Sequence, residues 1–317
     1  MNTSYKLLIL FTFLFKSIMV SAQIPDETVS ETLLWSVSGN GLKKTSYLFG
    51  TNHLYGGSFL DSIAPVLEAF NKSNVLLVER QMDSSYSINN SKNETPTDGY
   101  VPYSALFPKE MFTQVDKYLA SIGVDSLGSL DNVKFPAWKL YFTIQMDYFS
   151  KKFKITPKNE SSMDFHMQNL ASNNGKKIVG LDNFSKRKPA PSSKLFGNPK
   201  EIAQGIISMI NYIQKGVPSV HISLPAEELD KINDYRDLNI QYHFNEVTPG
   251  KNIPFVQELL IKRNTSWLAV LPSILVEQSC FVAVGLKHLM YKEGLISQLK
   301  AKGYDVKPVV IKYKSNL

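Results

Sequence analysis

Cysteine is almost absent: Cys280 is the only one in 317 residues. That excludes an intramolecular disulfide and a cysteine-rich metal site, and a lone Cys in an apolar segment reads as core filling. Beyond the N-terminal region no apolar run approaches the roughly 20 residues that a spanning helix needs. Charge is also sparse, at 20% Asp, Glu, Lys and Arg with a formal net charge of +7. The basic residues are scattered, and the densest cluster, Lys186-Arg187-Lys188 beside Pro189, reads as a solvated loop; no nucleic-acid partner is expected. There is no internal repeat and no collagen-like or disordered bias. With 43% hydrophobic residues, a chain of this size buries about 75% of its unfolded surface in one large unit without staples.

What is present begins with Lys6 and the run Leu7 to Phe15, closed by Lys16 and followed by the small residues Val20-Ser21-Ala22. This is the pattern of a secretory signal, too short for a permanent span, although an uncleaved anchor is the alternative reading. Residues 1–22 are expected to leave, giving a domain at 23–317 that is exported to the periplasm or outside the cell with no stable membrane span. Loss of Lys6 and Lys16 lowers the charge to +5.

The turn Gly39-Asn40-Gly41 between Trp35–Ser38 and Ser46–Phe49 predicts an N-terminal β-hairpin. Val75–Val78, Lys177–Val179 and Cys280–Val284 read as buried strands, with Val306–Ile311 closing the sheet. Helical patterning covers 108–122, 136–149, 201–214, 226–244 and 253–277, the last bent near Pro272. The aromatics of the second, Trp138, Tyr141, Phe142, Tyr148 and Phe149, are expected in the core. Polar stretches at 84–97 and 186–200 read as loops. Helices separating strands predict an α/β fold: a single three-layer domain with a mixed sheet flanked by helices, its ligand site at the strands' carboxyl ends.

Those ends carry Gly50-Thr51-Asn52-His53, Glu79-Arg80, Gly180-Leu181-Asp182 and Gly285-Leu286-Lys287-His288. Two share the spacing G-x-x-H, in which glycine permits a sharp turn off the strand and an imidazole swings back over the sheet edge. His53, His288 and Glu79 together make a two-histidine, one-carboxylate set with open positions on a divalent metal, whose bound water falls to a pKa of about 7. For either histidine alone, capping of a strand is the plainer reading; the pair favours the metal. His166, His221 and His243 lack this context. Arg263 and Trp267 are four apart on one helix face. Trp267 reads as core, and Arg263 either pairs with Glu79 and Asp182 or stabilises the oxyanion of a tetrahedral intermediate.

The segments Leu34–Gly39, Ser46–His53, Val78-Glu79, Gly180–Asp182, Arg263-Asn264 with Trp267, Phe281–Gly285 with His288-Leu289, Gly294–Ile296 and Gly303–Val306 resemble the TraB/GumN family. That family includes the Tiki-type metalloproteases and is distantly similar to erythromycin esterase and ChaN-like proteins. The resemblance implies a metal-dependent hydrolase, a metallopeptidase, acting on a peptide or protein substrate. His53, Glu79 and His288 match its metal and catalytic positions, and Arg263 and Asn264 match further characteristic ones. Manganese or cobalt is the implied ion, and imidazole with carboxylate also suits zinc. The chain departs from the pattern at Asp182, where Glu is usual, around Arg187, and at Met290-Tyr291, where Pro-Gly is common. The shorter Asp182 is better suited to orienting a ligand than to being one. Glu79 is ligand or general base. The alternatives are a non-catalytic extracytoplasmic peptide-binding protein and a metal-free, esterase-like hydrolase with histidine as base.

Overall fold

A computed structural model of the chain describes residues 29–82, 100–153, 160–184, 195–216 and 232–311. The expected signal at 1–22, most of both polar loops and His221 lie outside these residues.

The path begins with β1 (Val29–Ser30) and the hairpin of β2 (Leu34–Ser38) and β3 (Ser46–Thr51), which pair antiparallel. Gly39, Asn40 and Gly41 all take left-handed backbone angles, with φ of 73°, 47° and 82°, the conformation that the Gly-Asn-Gly turn supplies at least cost. α1 (Gly57–Ser62) and α2 (Ala64–Lys72) lead to β4 (Val75–Val78). α3 (Tyr103–Leu106), α4 (Lys109–Ser121), α5 (Leu127–Asn132) and α6 (Ala137–Phe153) follow, then α7 (Met163–Asn173), β5 (Lys177–Gly180) and α8 (Pro199–Lys215). β6 (Ile240–Gln241) pairs with β1. α9 (Lys262–Glu277), β7 (Cys280–Gly285), α10 (Leu295–Ala301) and β8 (Asp305–Pro308) complete the chain.

The main sheet has the order β5-β4-β7-β3-β2-β8. β5, β4, β7 and β3 are mutually parallel, and β2 and β8 add antiparallel pairs. β4 and nearly all of β7 are buried, so the sheet needs helices on both faces, the three-layer arrangement. Its edges, β5 and β8, carry exposed Lys177, Asp305 and Lys307 and end in Pro308, features that discourage pairing with another chain. Cys280 is fully buried, and burial pushes its thiol up to about 12. A second apolar cluster, including Tyr103, Leu119, Leu140, Ile206 and Ile210, packs α3 to α6 together with α8, while α7 packs on the main core.

One helix expectation needs correction. Of the helix expected at 226–244, the described part holds only a short turn at 232–236, then β6. Tyr235 and Tyr242 tie this segment to the sheet region, their hydroxyls donating to the carbonyls of Gly50 and Thr32, both at 2.8 Å, and past the helical turn the chain pairs with β1 instead of coiling further. The helix expected at 253–277 is present and continuous from Pro254 to Glu277: its first turn passes through a π-helical turn at Gln257–Ile261 into α9, which runs through Pro272. The aromatic α6 is also less buried than expected. Phe149 is in the core, but Phe142 is exposed and Trp138 stacks flat on Phe196 at 3.9 Å.

Candidate active site

Because β5, β4, β7 and β3 run parallel in that order, their carboxyl ends share one edge and present Asp182, Glu79, His288 and His53 in sequence along it. Gly50 pairs with Val284 and Thr51 with Gly285, so the two G-x-x-H turns leave adjacent strands side by side. Neither glycine is needed for a positive φ. A Cβ on Gly50 would meet Leu286 Cδ1 at 2.7 Å, and one on Gly285 would meet Glu79 Oε1 at 3.2 Å. Close approach, not backbone freedom, is the reason for glycine at both places.

His288 lies in a single 3-10 turn, Leu286–His288, and is buried. Asn264 donates its amide to the carbonyls of His288, at 3.2 Å, and Glu293, at 3.0 Å. Its Oδ1 therefore faces His288 Nδ1, 2.7 Å away, and must accept, which places the proton on Nδ1 and the lone pair on Nε2. Nε2 stands 3.6 Å from Glu79 Oε1 and 3.4 Å from Arg263 Nη1. Burial lowers the imidazole to about 4, so it is neutral near pH 7. Asn264 is 2% exposed and sits behind the histidine, where it orients the ring without reaching the cleft.

Glu79 follows β4. Oε1 accepts from Gly285 N–H at 2.7 Å and Oε2 meets Arg263 Nη1 at 2.7 Å. Burial pulls this carboxyl upward, but His288, Arg263, the Gly285 N–H and His53 outweigh it and hold it at about 2. Asp182, in the 3-10 turn after β5, donates its backbone N–H to the Glu79 carbonyl at 3.0 Å. Its carboxylate takes Arg263 Nε at 3.1 Å and Nη2 at 2.9 Å, and Trp267 Nε1 at 3.1 Å. Arg263 lies 4.7 Å from the Trp267 ring centre. These contacts engage four of the five guanidinium N–H groups. Arg263 is thus foremost the cross-link between two carboxylates, with one Nη2 N–H left for a substrate oxygen.

His53 sits at the open end of the row, its side chain 63% exposed. Asn52 Oδ1 accepts from Leu54 N–H at 3.0 Å and shapes the turn. His53 Nδ1 is 2.8 Å from Asp164 Oδ2, and Asp164 Oδ1 accepts from Thr51 Oγ1 at 2.8 Å. The hydrogen bond and charge of Asp164 raise the imidazole to about 9, against a smaller opposing effect of burial. Asp164 carried no signal in the sequence reading: it lies in a helix far from any strand end, and its only mark is a carboxylate one residue after a Ser-Met helix start. His166 pairs with Asp61 at 3.1 Å and His243 with Glu246 at 2.8 Å.

The donor set suits a divalent ion in kind. Each imidazole has Nδ1 on an oxygen partner, the usual backing of a metal-bound histidine, although His288 Nε2 already meets Arg263 Nη1 at 3.4 Å. Glu79, however, is held by Arg263 and Gly285, and among the described residues no three His, Cys, Asp or Glu side chains form a ligating group. None of the described helices is long and apolar enough to cross a membrane. No curated protein and no solved structure matches the chain. The TraB/PrgY/gumN family model matches residues 33–308, nearly the whole chain. The chain belongs to the TraB/PrgY/gumN family.

Proposed function

We propose that the protein is an exported hydrolase that cleaves peptide bonds at this sheet edge with the help of a divalent metal, manganese, cobalt or zinc. The observation that carries this reading is the pair of imidazoles on adjacent parallel strands, each with Nδ1 engaged by an oxygen, at 2.8 Å in His53 and 2.7 Å in His288. His53 and His288 would hold the ion through Nε2, with Glu79 as the neighbouring carboxylate. Such an ion supplies hydroxide at neutral pH by lowering the pKa of bound water to about 7. Glu79 stays ionised, which suits a cation's neighbour better than a proton acceptor at neutral pH. Arg263 keeps Glu79 and Asp182 in place and directs its remaining Nη2 N–H toward a carbonyl oxygen that gains charge. His288, neutral and locked by Asn264, loses nothing to deprotonation when it binds, whereas His53 must release a proton.

The test is elemental analysis of the purified protein and of His53→Ala/His288→Ala after equal exposure to the three metals, followed by a peptide-library digest. Near-stoichiometric metal and cleavage in the wild type alone are expected. A folded wild type that takes up no metal would refute the metallohydrolase. One observation favours a metal-free alternative: the Asp164–His53 pair has the geometry of an oriented base, active once the ring is deprotonated at alkaline pH. Hydrolysis that persists in chelator would establish it. Intact peptide recovered from the cleft, with no cleavage, would make the protein a binder.

A further inference from the structure

Helix α7 presents two buried polar side chains one turn apart, Asp164 and Gln168. They therefore share a face, and that face meets two different strand ends. Asp164 holds Thr51 and His53 beyond β3, as described. Gln168 holds the segment beyond β4: Oε1 accepts from Met82 N–H at 2.9 Å and Nε2 donates to the Arg80 carbonyl at 3.3 Å. Glu79 is the residue before that clamp.

The start of α7 is fixed against the segment that follows His53. Met163 N–H donates to the Tyr55 carbonyl at 2.9 Å, Gly57 N–H donates to that of Ser161 at 3.3 Å, and Gly56 forms a bridge with Ser162. The pair Gly56-Gly57 makes this possible. A Cβ on Gly57 would lie 2.5 Å from the His166 ring, and one on Gly56 would run into the Glu160 carboxylate. The close docking of α7 is thus written three residues after His53.

Stability alone does not account for the Asp164 carboxylate. Burying a charge is costly, and its charged partner is an imidazole that is mostly in water, where an ion pair contributes little. The other carboxylate oxygen serves the buried Thr51 hydroxyl, which an amide or hydroxyl would satisfy without a charge. What the carboxylate does secure is the direction of an exposed ring that otherwise rotates freely. We propose that α7 is the positioning element of the cleft: Asp164 orients His53 through Nδ1, and Gln168 fixes the Glu79 exit, so one helix face sets imidazole against carboxylate. Asp164, Gln168 and Thr51 are positioning residues. This rests on the reading of the sheet edge as the working site.

The experiment uses the full mature protein with zinc alone as probe, read by calorimetry, and ring-nitrogen NMR of His53. With the proton on His53 corrected for from the pH dependence of binding, Asp164→Ala is expected to weaken zinc binding 10- to 100-fold, the usual effect of losing a partner behind a metal-bound histidine, and, above pH 9 where the ring is neutral, to replace a single Nδ1–H tautomer by a mixture. Asp164→Asn, which keeps an oxygen toward Nδ1, should recover most of the loss. Thr51→Val, which never touches the ring, should shift both readouts in the same direction, and Thr51→Ser should restore them. Gln168→Met should weaken zinc at least threefold with the His53 ring signals unchanged. Urea unfolding guards against misfolded variants, and the two Thr51 variants keep the question answerable if Asp164→Ala does not fold. Zinc affinity within twofold of wild type together with an unchanged ring in Asp164→Ala and Thr51→Val overturns the proposal. If the wild type binds no zinc, the metal reading fails separately, and the tautomer in Asp164→Ala or Thr51→Val alone decides the role of α7.

Discussion

Arg263→Met removes the one cation that links Glu79 to Asp182 while keeping much of the apolar bulk against Trp267. The two carboxylates are 19% and 25% exposed on their side chains, so solvent screens them only in part. Removing one partner from such a buried pair costs about 3–5 kcal/mol, because the charge left behind is uncompensated. The lower end is expected, since Glu79 keeps the Gly285 N–H and Asp182 keeps Trp267 Nε1. In a domain of this size that is a melting-point drop on the order of 10 °C. The pH dependence gives the diagnosis. In the wild type Glu79 lies at about 2 against its ordinary 4.5, so its contribution is complete above 4.5 and disappears as pH falls toward 2. Without Arg263 the Glu79 carboxyl rises, and the folded variant takes up a proton at higher pH than the wild type does. Its deficit is therefore largest near pH 7 and shrinks as pH falls through 4. Urea unfolding of both proteins at pH 7, 5 and 4 measures this directly. A deficit below about 1 kcal/mol, or one that does not shrink on acidification, would refute the cross-link as the main role of Arg263.

Asn264→Leu strips His288 Nδ1 and two backbone carbonyls of their buried partners and should cost about 2–4 kcal/mol in urea unfolding; a near-neutral result would mean that the ring is held some other way. Zinc or manganese affinity should rise with pH from 6 toward about 9, because Asp164 keeps a proton on His53 that the ion must displace. A flat profile in calorimetric titrations would exclude His53 as a ligand. Gly50→Ala should destabilise by about 1–3 kcal/mol through overlap with Leu286, whereas a turn that only needed bending freedom would show little change, since Gly50 has no positive φ.

Much of the architecture follows from local rules that a linear reading can apply. The Gly-Asn-Gly hairpin, the apolar runs of β4 and β7, and the helix–strand alternation each depend on short-range propensity and burial, and β2, β3, β4 and β7 fall where those rules put them. The same reading locates His53, Glu79, Asp182 and His288, because a residue just past a buried parallel strand must emerge at the sheet's carboxyl edge. Local rules fail at 237–244, where pairing of β6 with β1 and the Tyr242 bond to the Thr32 carbonyl override helical patterning. They also give glycine the wrong reason at Gly50 and Gly285, since free space is a property of neighbours distant in sequence. The row along the edge, with β7 inserted between β3 and β4, is a matter of strand order, which depends on long-range pairing. That order buries His288 beside Arg263 and leaves His53 exposed, giving two identical motifs opposite protonation behaviour. Asp164 and Gln168 become site residues only because α7 docks across two strand ends. The sequence by itself determined which groups reach the edge; folding in three dimensions decided which of them are neutral, charged or held, because burial and partner distance exist only once the chain is packed.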